Sequence, residues 1–404
     1  MNPMQLKYNH FYTDGAQYLP GGFDELCRIL EQARNEKKQL RVKLGIDPTS
    51  TDLHLGHTVC LQFLRKFREE GHKIALIIGD FTATIGDPSG RDEARPPLTQ
   101  EQAKKNAQTY LKQARKIISD LSDDEVHYNS KWLSNLSSKE LLKLAHIVTV
   151  NRLISKEAFG TRIEKSEPLY LHEVLYPILQ GYDSVADEVN ADIEIGGIDQ
   201  TYNVLFGRDV QRFYKKKEQF VVLLPLLIGL DGKKKMSKSF NNYIALEDTP
   251  NEIFGKAMSI PDELIMHYFK LVSDLCAEDL SKLDQRLQSN ENPRDIKMLL
   301  AHHLLRQLHG EKEASKAQEN FINQFQKNEI PETVDEYSLD EPLKIIDLMH
   351  KSGLVLSKAE AKRLIEGGGV KLKSTKVNDP NFLVTKDDKN SVLQIGKRKF
   401  IKIV

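Results

Sequence analysis

Two stretches of this chain are almost wholly apolar, Ile-Ala-Leu-Ile-Ile-Gly at residues 74–79 and Phe-Val-Val-Leu-Leu at residues 220–224. A strand without polar alternation has to be covered on both faces, which points to an α/β fold with a parallel sheet. Residues 40–46 and 193–195 read as two further strands. Between the first two strands, Leu55, Val59, Phe63 and Phe67 stand four apart while Arg65, Lys66 and Arg68 fall elsewhere, the pattern of an amphipathic helix over residues 55–70. Strand, helix and strand form a βαβ unit with a right-handed crossover.

A chain of 404 residues has room for two or three domains. Thr99 followed by Gln102 reads as a capping box opening a helix through Ile118, and helical pattern resumes over residues 138–154. These segments are an insertion between two halves of the sheet. After Tyr243 the pattern is helical to about Gln326, a second, all-α part. Residues 328–342, acidic and punctuated by Pro331 and Pro342, read as a linker. Beyond it Ser357 and Glu360 form another capping box. That helix runs to Glu366, stops at Gly367-Gly368-Gly369 and precedes a strand at residues 370–372, the start of a small α+β module.

Lys plus Arg equals Asp plus Glu, 58 against 58, so net charge names no partner, but its distribution is uneven. Residues 342–404 hold 14 basic against 6 acidic residues, leaving 44 against 52 in the rest. A basic module on an acidic body fits a nucleic acid or another anionic surface, and fits equally a solvated lysine-rich face. Cys27, Cys60 and Cys276 are too few and too scattered for a disulfide framework or a cysteine zinc site, and a reducing cytoplasm is expected. The first 18 residues lack the features of a secretory signal. The longest apolar stretch, residues 221–230, is about half a bilayer span and holds Pro225, so no membrane segment is expected.

Chemistry concentrates in two places. Asp47-Pro48-Thr49 and His54-Leu55-Gly56-His57 lie between the first strand and the first helix, at the edge where open α/β sheets bind ligands. The helix start offers N–H groups and a positive dipole end to phosphate. Gly56 leaves space for a nucleotide beside the backbone, with two imidazoles three apart on one face. Taken alone, such a histidine pair suits packing or metal binding as well as nucleotide contact, although no third zinc ligand stands nearby. Lys235-Met236-Ser237-Lys238-Ser239 begins 178 residues after His57, behind Gly232. It reads as a mobile loop whose lysines and serines can close over a polyphosphate, or as an ordinary charged loop.

Together, and in this order, the two segments resemble the "HIGH" and "KMSKS" signatures of class I aminoacyl-tRNA synthetases. Gly45-Ile46-Asp47-Pro48-Thr49, the Ile85 to Gly90 stretch, Tyr176 to Asp183 and Gly196-Gly197-Ile198-Asp199-Gln200 narrow the resemblance to the tyrosine-specific branch. The tail is similar to the RNA-binding module named after ribosomal protein S-four. The resemblance implies a Rossmann-like catalytic domain at residues 1–245, with its helical insertion at about 99–190. A helical anticodon-binding domain at 246–328, a linker at 329–341 and an RNA-binding domain at 342–404 follow. It also implies a homodimer formed through about residues 115–165.

The implied activity is tyrosyl-adenylate formation from L-tyrosine and ATP with magnesium, then transfer to tRNA(Tyr). His54, His57, Thr49, Lys235 and Lys238 would serve catalysis. Asp47, Gly56, Asp199, Met236, Ser237 and Ser239 would meet ATP. Asp87, Tyr176 and Gln180 would receive the substrate ammonium, Asp183 the phenol hydroxyl, and Gln200 the amino acid; no resident metal is implied. Tyr176, Gln180 and Asp183 fall on one helical stripe, which Pro177 should bend. A buried carboxylate aimed at a hydroxyl rejects phenylalanine roughly 10⁵-fold, a figure known for enzymes of this class and not obtained from this chain. Many members carry a tyrosine where this chain has Lys43, and one reading sends Lys43 into solvent with another group in its role. The alternatives are a tryptophanyl-tRNA synthetase, a small-metabolite nucleotidyltransferase and a non-catalytic synthetase-like RNA-binding protein.

Overall fold

The computed structural model describes residues 2–87, 98–154, 157–289, 291–326, 334–339, 341–373, 375–396 and 399–404. Six strands share one sheet: β1 (Gln17–Leu19), β2 (Arg41–Ile46), β3 (Lys73–Ile78), β4 (Val126–Tyr128), β5 (Ile193–Gly197) and β6 (Phe220–Leu224). Their order is β1-β6-β5-β2-β3-β4, with β1 antiparallel to β6 and the other pairs parallel. All five residues of β6 are buried, as are all but the first of β3, which is why neither shows polar alternation. From β2 the chain moves through β3 to β4 on one side and later returns through β5 to β6 on the other. The strand order therefore reverses between β2 and β5, and a crevice opens at the carboxyl ends of those two strands.

Helix α1 (Leu55–Glu69) follows β2 and buries Leu55, Val59, Phe63 and Phe67, the four residues on its apolar stripe. Helix α2 (Gln100–Ile117) opens with the expected reciprocal cap: Thr99 Oγ1 accepts from the Gln102 amide at 3.2 Å and Gln102 Oε1 accepts from the Thr99 amide at 2.9 Å. The helical pattern at residues 138–154 divides into Ser138–Ala145 and Val150–Ile154. β-Branched residues crowd the break, and Thr149 Oγ1 accepts from the Arg152 amide, starting a second helix rather than continuing the first. Helix α3 (Leu171–Asp183) continues through Pro177, and α4 (Thr201–Phe213) packs beside it. A Cβ on Gly181 would lie 2.9 Å from Val210 Cγ2 and 3.0 Å from Phe206 Cδ1, so the glycine is what lets α3 approach α4.

The chain forms two compact units, Met1–Ala314 and Ser315–Val404. The first also holds the helices from Pro250 to His309, where Gln62 of α1 donates to the Val272 carbonyl at 3.0 Å. In the second, helices Ile345–Lys351 and Lys358–Glu366 cover a five-stranded sheet around Ile345, Leu348, Ile365, Val370, Leu393 and Ile403. Part of the expected linker belongs to this sheet, since Glu336–Tyr337 pairs in parallel with Lys399–Ile403. The Ser357 cap is also only half a box. Ser357 Oγ accepts from the Glu360 amide, but Glu360 reaches the amide of Leu356, one residue too early. No described helix is long and apolar enough to cross a membrane.

Candidate active site

At the carboxyl end of β2, His54 is extended, with φ −125, and forms the N-cap of α1. Its Nδ1 accepts from the Gly56 amide at 3.2 Å, while His57 Nδ1 accepts from the His54 amide at 3.1 Å. The Gly56 bond assigns the proton of the His54 ring to Nε2, while His57 Nδ1 also lies 3.3 Å from the His54 carbonyl. Burial, then the nearby His57, holds His54 far below the usual imidazole range, so it stays neutral. The expected free helix amides are largely taken, since Leu55 donates to the Ile244 carbonyl at 3.0 Å and His57 to the His54 carbonyl at 2.9 Å. Donors toward an anion are therefore ring N–H groups rather than the helix backbone. Nor do the imidazoles share a helical face, because His54 stands before the helix. Their centroids are 4.0 Å apart. A Cβ at Gly56 would press on the His54 ring at 3.0 Å and approach Met236 Cβ at 3.8 Å, which ties this turn to the distant lysine-serine segment.

That segment is docked. Lys235 Nζ lies 2.6 Å from Asp199 Oδ2, and Lys238 Nζ is 3.0 Å from Ser50 Oγ and 3.5 Å from Asp52 Oδ2. Met236 is buried, and its amide donates to the Leu227 carbonyl at 2.7 Å. Ser237 Oγ accepts from the Ser239 amide at 3.3 Å. Lys238 has its pKa lowered chiefly by burial, with Asp52 opposing. Ser50 and Asp52 were not among the expected site residues. Their signal was position, directly after Asp47-Pro48-Thr49 at a strand end.

Helix α3 supplies the deeper side. The Tyr176 hydroxyl donates to Asp47 Oδ2 at 2.8 Å, and Thr82 Oγ1 donates to Asp47 Oδ1 at 2.7 Å. Asp87 accepts from Gln200 Nε2 at 2.6 Å and Asn203 Nδ2 at 3.2 Å. Gln180 Oε1 is buried with no partner among the described residues. Asp183 accepts from Trp132 Nε1 at 2.8 Å and Asn129 Nδ2 at 3.4 Å. Burial pushes its carboxyl up to about 7 against the pull of Lys43. Asn129 and Trp132 were missed by sequence reasoning, although the chain's single tryptophan follows β4 by four residues at the carboxyl edge of the sheet.

Lys43 corrects an expectation. It is fully buried in β2, where alternation aims its side chain under the sheet edge, and its Nζ lies 2.9 Å from Glu194 Oε1. A lysine buried there needs a carboxylate, and Glu194 on the neighbouring strand β5 provides it.

One cavity of about 620 Å³ gathers these groups. Its lining includes Asp47, Thr49, His54, Gly56, His57, Asp87, Tyr176, Gln180, Asp183, Asp199, Gln200 and the whole of Lys235 to Ser239. Every expected site residue thus faces the same space. Among the described residues no group of three His, Cys, Asp or Glu side chains could hold a metal ion.

The family described as tRNA synthetases class I (W and Y) matches residues 35–326, and the S4 domain matches residues 344–390. The tyrosine--tRNA ligase of Thermotoga maritima is 46% identical over 368 residues, 91% of each chain. That of Francisella tularensis is 46% identical over 381 residues, 94% of each. This chain belongs to the tyrosyl-tRNA synthetases. A C-terminally truncated mitochondrial tyrosyl-tRNA synthetase of Aspergillus nidulans shares the fold, with a TM-score of 0.65 and 18% identity, covering 80% of this chain and 94% of that one. Tyrosyl- and tryptophanyl-tRNA synthetases share one family description, so the fold does not separate them; the two sequence relatives favour tyrosine over tryptophan. A tyrosyl-tRNA synthetase needs an anionic-phosphate end and a phenol end in one cavity. Here the imidazoles and lysines line the same cavity as Gln180 and Asp183.

Proposed function

We propose that this chain attaches L-tyrosine to tRNA(Tyr), forming tyrosyl-adenylate from ATP with release of pyrophosphate and then transferring the tyrosyl group to the terminal ribose of the tRNA. The convergence of His54, His57, Lys235 and Lys238 on one cavity with Gln180 and Asp183 is the observation that carries the assignment of roles. The tyrosine carboxylate is ionised near neutral pH and attacks the α-phosphorus in line, so no general base is needed. Acceleration comes from groups that meet charge as it builds on the phosphates. His54, as a neutral ring, and His57 donate toward the phosphates, Thr49 lines the same cavity, and the two lysines bring point charge. ATP would compete for Lys235 and Lys238, releasing them from Asp199 and from Ser50 and Asp52. Asp199 is then available to the ribose.

At the other end, the unfilled Gln180 Oε1 suits the substrate ammonium, with Asp87, Tyr176 and Gln200 completing its surroundings, and Asp183 accepts from the phenol hydroxyl. Magnesium would enter as the counter-ion of ATP and pyrophosphate. The helices after residue 246 and the basic tail serve tRNA binding. Exposed Leu142 and Val150, 72% and 66% accessible, support a homodimer through residues 115–165, and the cytoplasm is the proposed location.

Pyrophosphate exchange run with each of the twenty amino acids tests the assignment. Exchange with tyrosine alone is expected. Exchange with tryptophan instead, or with none of the twenty, would overturn it.

A further inference from the structure

The floor of the amino-acid end holds two carboxylates, Asp183 and Glu194, both buried and both lining the cavity. Burial, and to a lesser degree the charge of Glu194, favours a proton on Asp183. A proton there would occupy the acceptor that a phenol hydroxyl needs. Lys43 stands behind them and does not itself line the cavity. Its three N–H donors are all engaged, by Ser184 Oγ at 2.8 Å, Glu194 Oε1 at 2.9 Å and the Gln180 carbonyl at 3.3 Å. Glu194 is fixed in turn, its Oε2 accepting from Ser184 Oγ at 3.2 Å and from Gln219 Nε2. The ammonium therefore cannot swing out to the substrate, and acts through its charge. Asp183 receives only neutral donors, from Trp132 and Asn129, which leaves lone pairs for one more hydroxyl.

We propose that Lys43 and Glu194 form a specificity-determining pair: the ammonium, held in place by Glu194 and Ser184, biases Asp183 toward the charged form that accepts the substrate hydroxyl. The inference rests on the tyrosine-activating reading above. It makes Lys43 a positioning residue with no contact to substrate. Because both partners are buried, removing one alone leaves an uncompensated charge, whereas replacing both by neutral groups of similar size is tolerated. The pair thus predicts a non-additive pattern that a purely structural role does not.

The test is amino-acid-dependent pyrophosphate exchange with tyrosine and with phenylalanine, comparing the unaltered chain with Lys43→Met, Glu194→Gln and Lys43→Met/Glu194→Gln. Lys43→Met removes the positive charge that draws Asp183 toward its ionised form. It should lower the tyrosine-to-phenylalanine ratio of kcat/KM about 10- to 100-fold, the scale of one hydrogen bond to a charged group. Glu194→Gln leaves Asp183 as the nearest carboxylate to the ammonium and should lower the ratio as well. The double variant removes the repulsion of Glu194 along with the lysine, and part of the ratio should return. Should Lys43→Met fail to fold, Glu194→Gln against the double variant makes the same comparison. Tyrosine and phenylalanine rates that fall in proportion, or a double variant no better than the single ones, would overturn the pair's role. No tyrosine exchange by the unaltered chain would overturn the activity itself, and the role with it.

Discussion

Asp183 sits near neutrality between its two protonation states, and that position has a measurable cost. An unfolded aspartate ionises near pH 4, whereas the buried carboxyl keeps its proton to about 7. Between those values the native state binds one more proton than the unfolded state. Stability therefore falls as pH rises from about 4 to about 7, and levels off above. Asp183→Asn removes that fall. The variant is expected to match the unaltered protein in urea unfolding near pH 4 and to exceed it by a few kcal/mol at pH 8, while losing tyrosine-dependent exchange. Equal stability differences at both pH values would contradict the buried, proton-holding carboxyl. At this scale the side chains that line the cavity were legible, because His54, His57, Lys235 and Lys238 lie in motifs whose residue types suit phosphate chemistry. Their bonding was not. Nothing in the spacing of Lys43 and Glu194, 151 positions apart, says that adjacent strands put them 2.9 Å from each other.

Among the elements, the lysine-serine segment bears most directly on catalysis. It holds to the rest of the cavity through side chains that an arriving triphosphate would take over, so its main contribution is expected in the transition state. Lys238→Ala should slow adenylate formation about 10²- to 10³-fold in pre-steady-state experiments, with tyrosine affinity by equilibrium dialysis unchanged. A variant that loses tyrosine affinity but keeps its formation rate would contradict that role. Helices and strands were readable wherever one periodicity ruled: α1 from its four-residue apolar spacing, β6 from unbroken burial, α2 from its reciprocal cap. Legibility failed where local chemistry competes with periodicity. Thr149 opens a new helix inside a continuous helical pattern, and Glu360 spends its side chain on Leu356 instead of Ser357. The docking of residues 235–239 was equally hidden, because glycine and lysine describe a loop's freedom and not the carboxylates it finds.

Across the whole molecule, the reversal of strand order between β2 and β5 is what brings residues near 47, 87, 180 and 199 to a single crevice. The parallel sheet followed from the two apolar strands, but the order of its strands did not, since sequence spacing is blind to which neighbour a strand selects. The acidic stretch before residue 342 misled for the same reason: Glu336–Tyr337 becomes a strand only because Lys399–Ile403 lies ready to pair with it. A chain ended after Gln326 therefore removes the whole second sheet cleanly. It should keep tyrosine-dependent pyrophosphate exchange within about threefold, while tRNA charging falls about tenfold or more at moderate salt as basic contacts are lost. Equal loss of both activities would make the tail a structural support. The central claim is that the imidazole pair and the distant lysine-serine segment serve one triphosphate. A crystal structure with a non-hydrolysable ATP analogue tests it most directly. The account predicts phosphate oxygens about 3 Å from Nε2 of His54 or His57 and from Nζ of Lys238, with Lys238 released from Ser50 and Asp52. A nucleotide bound against only one of the two segments, the other still closed on its own partners, would contradict it.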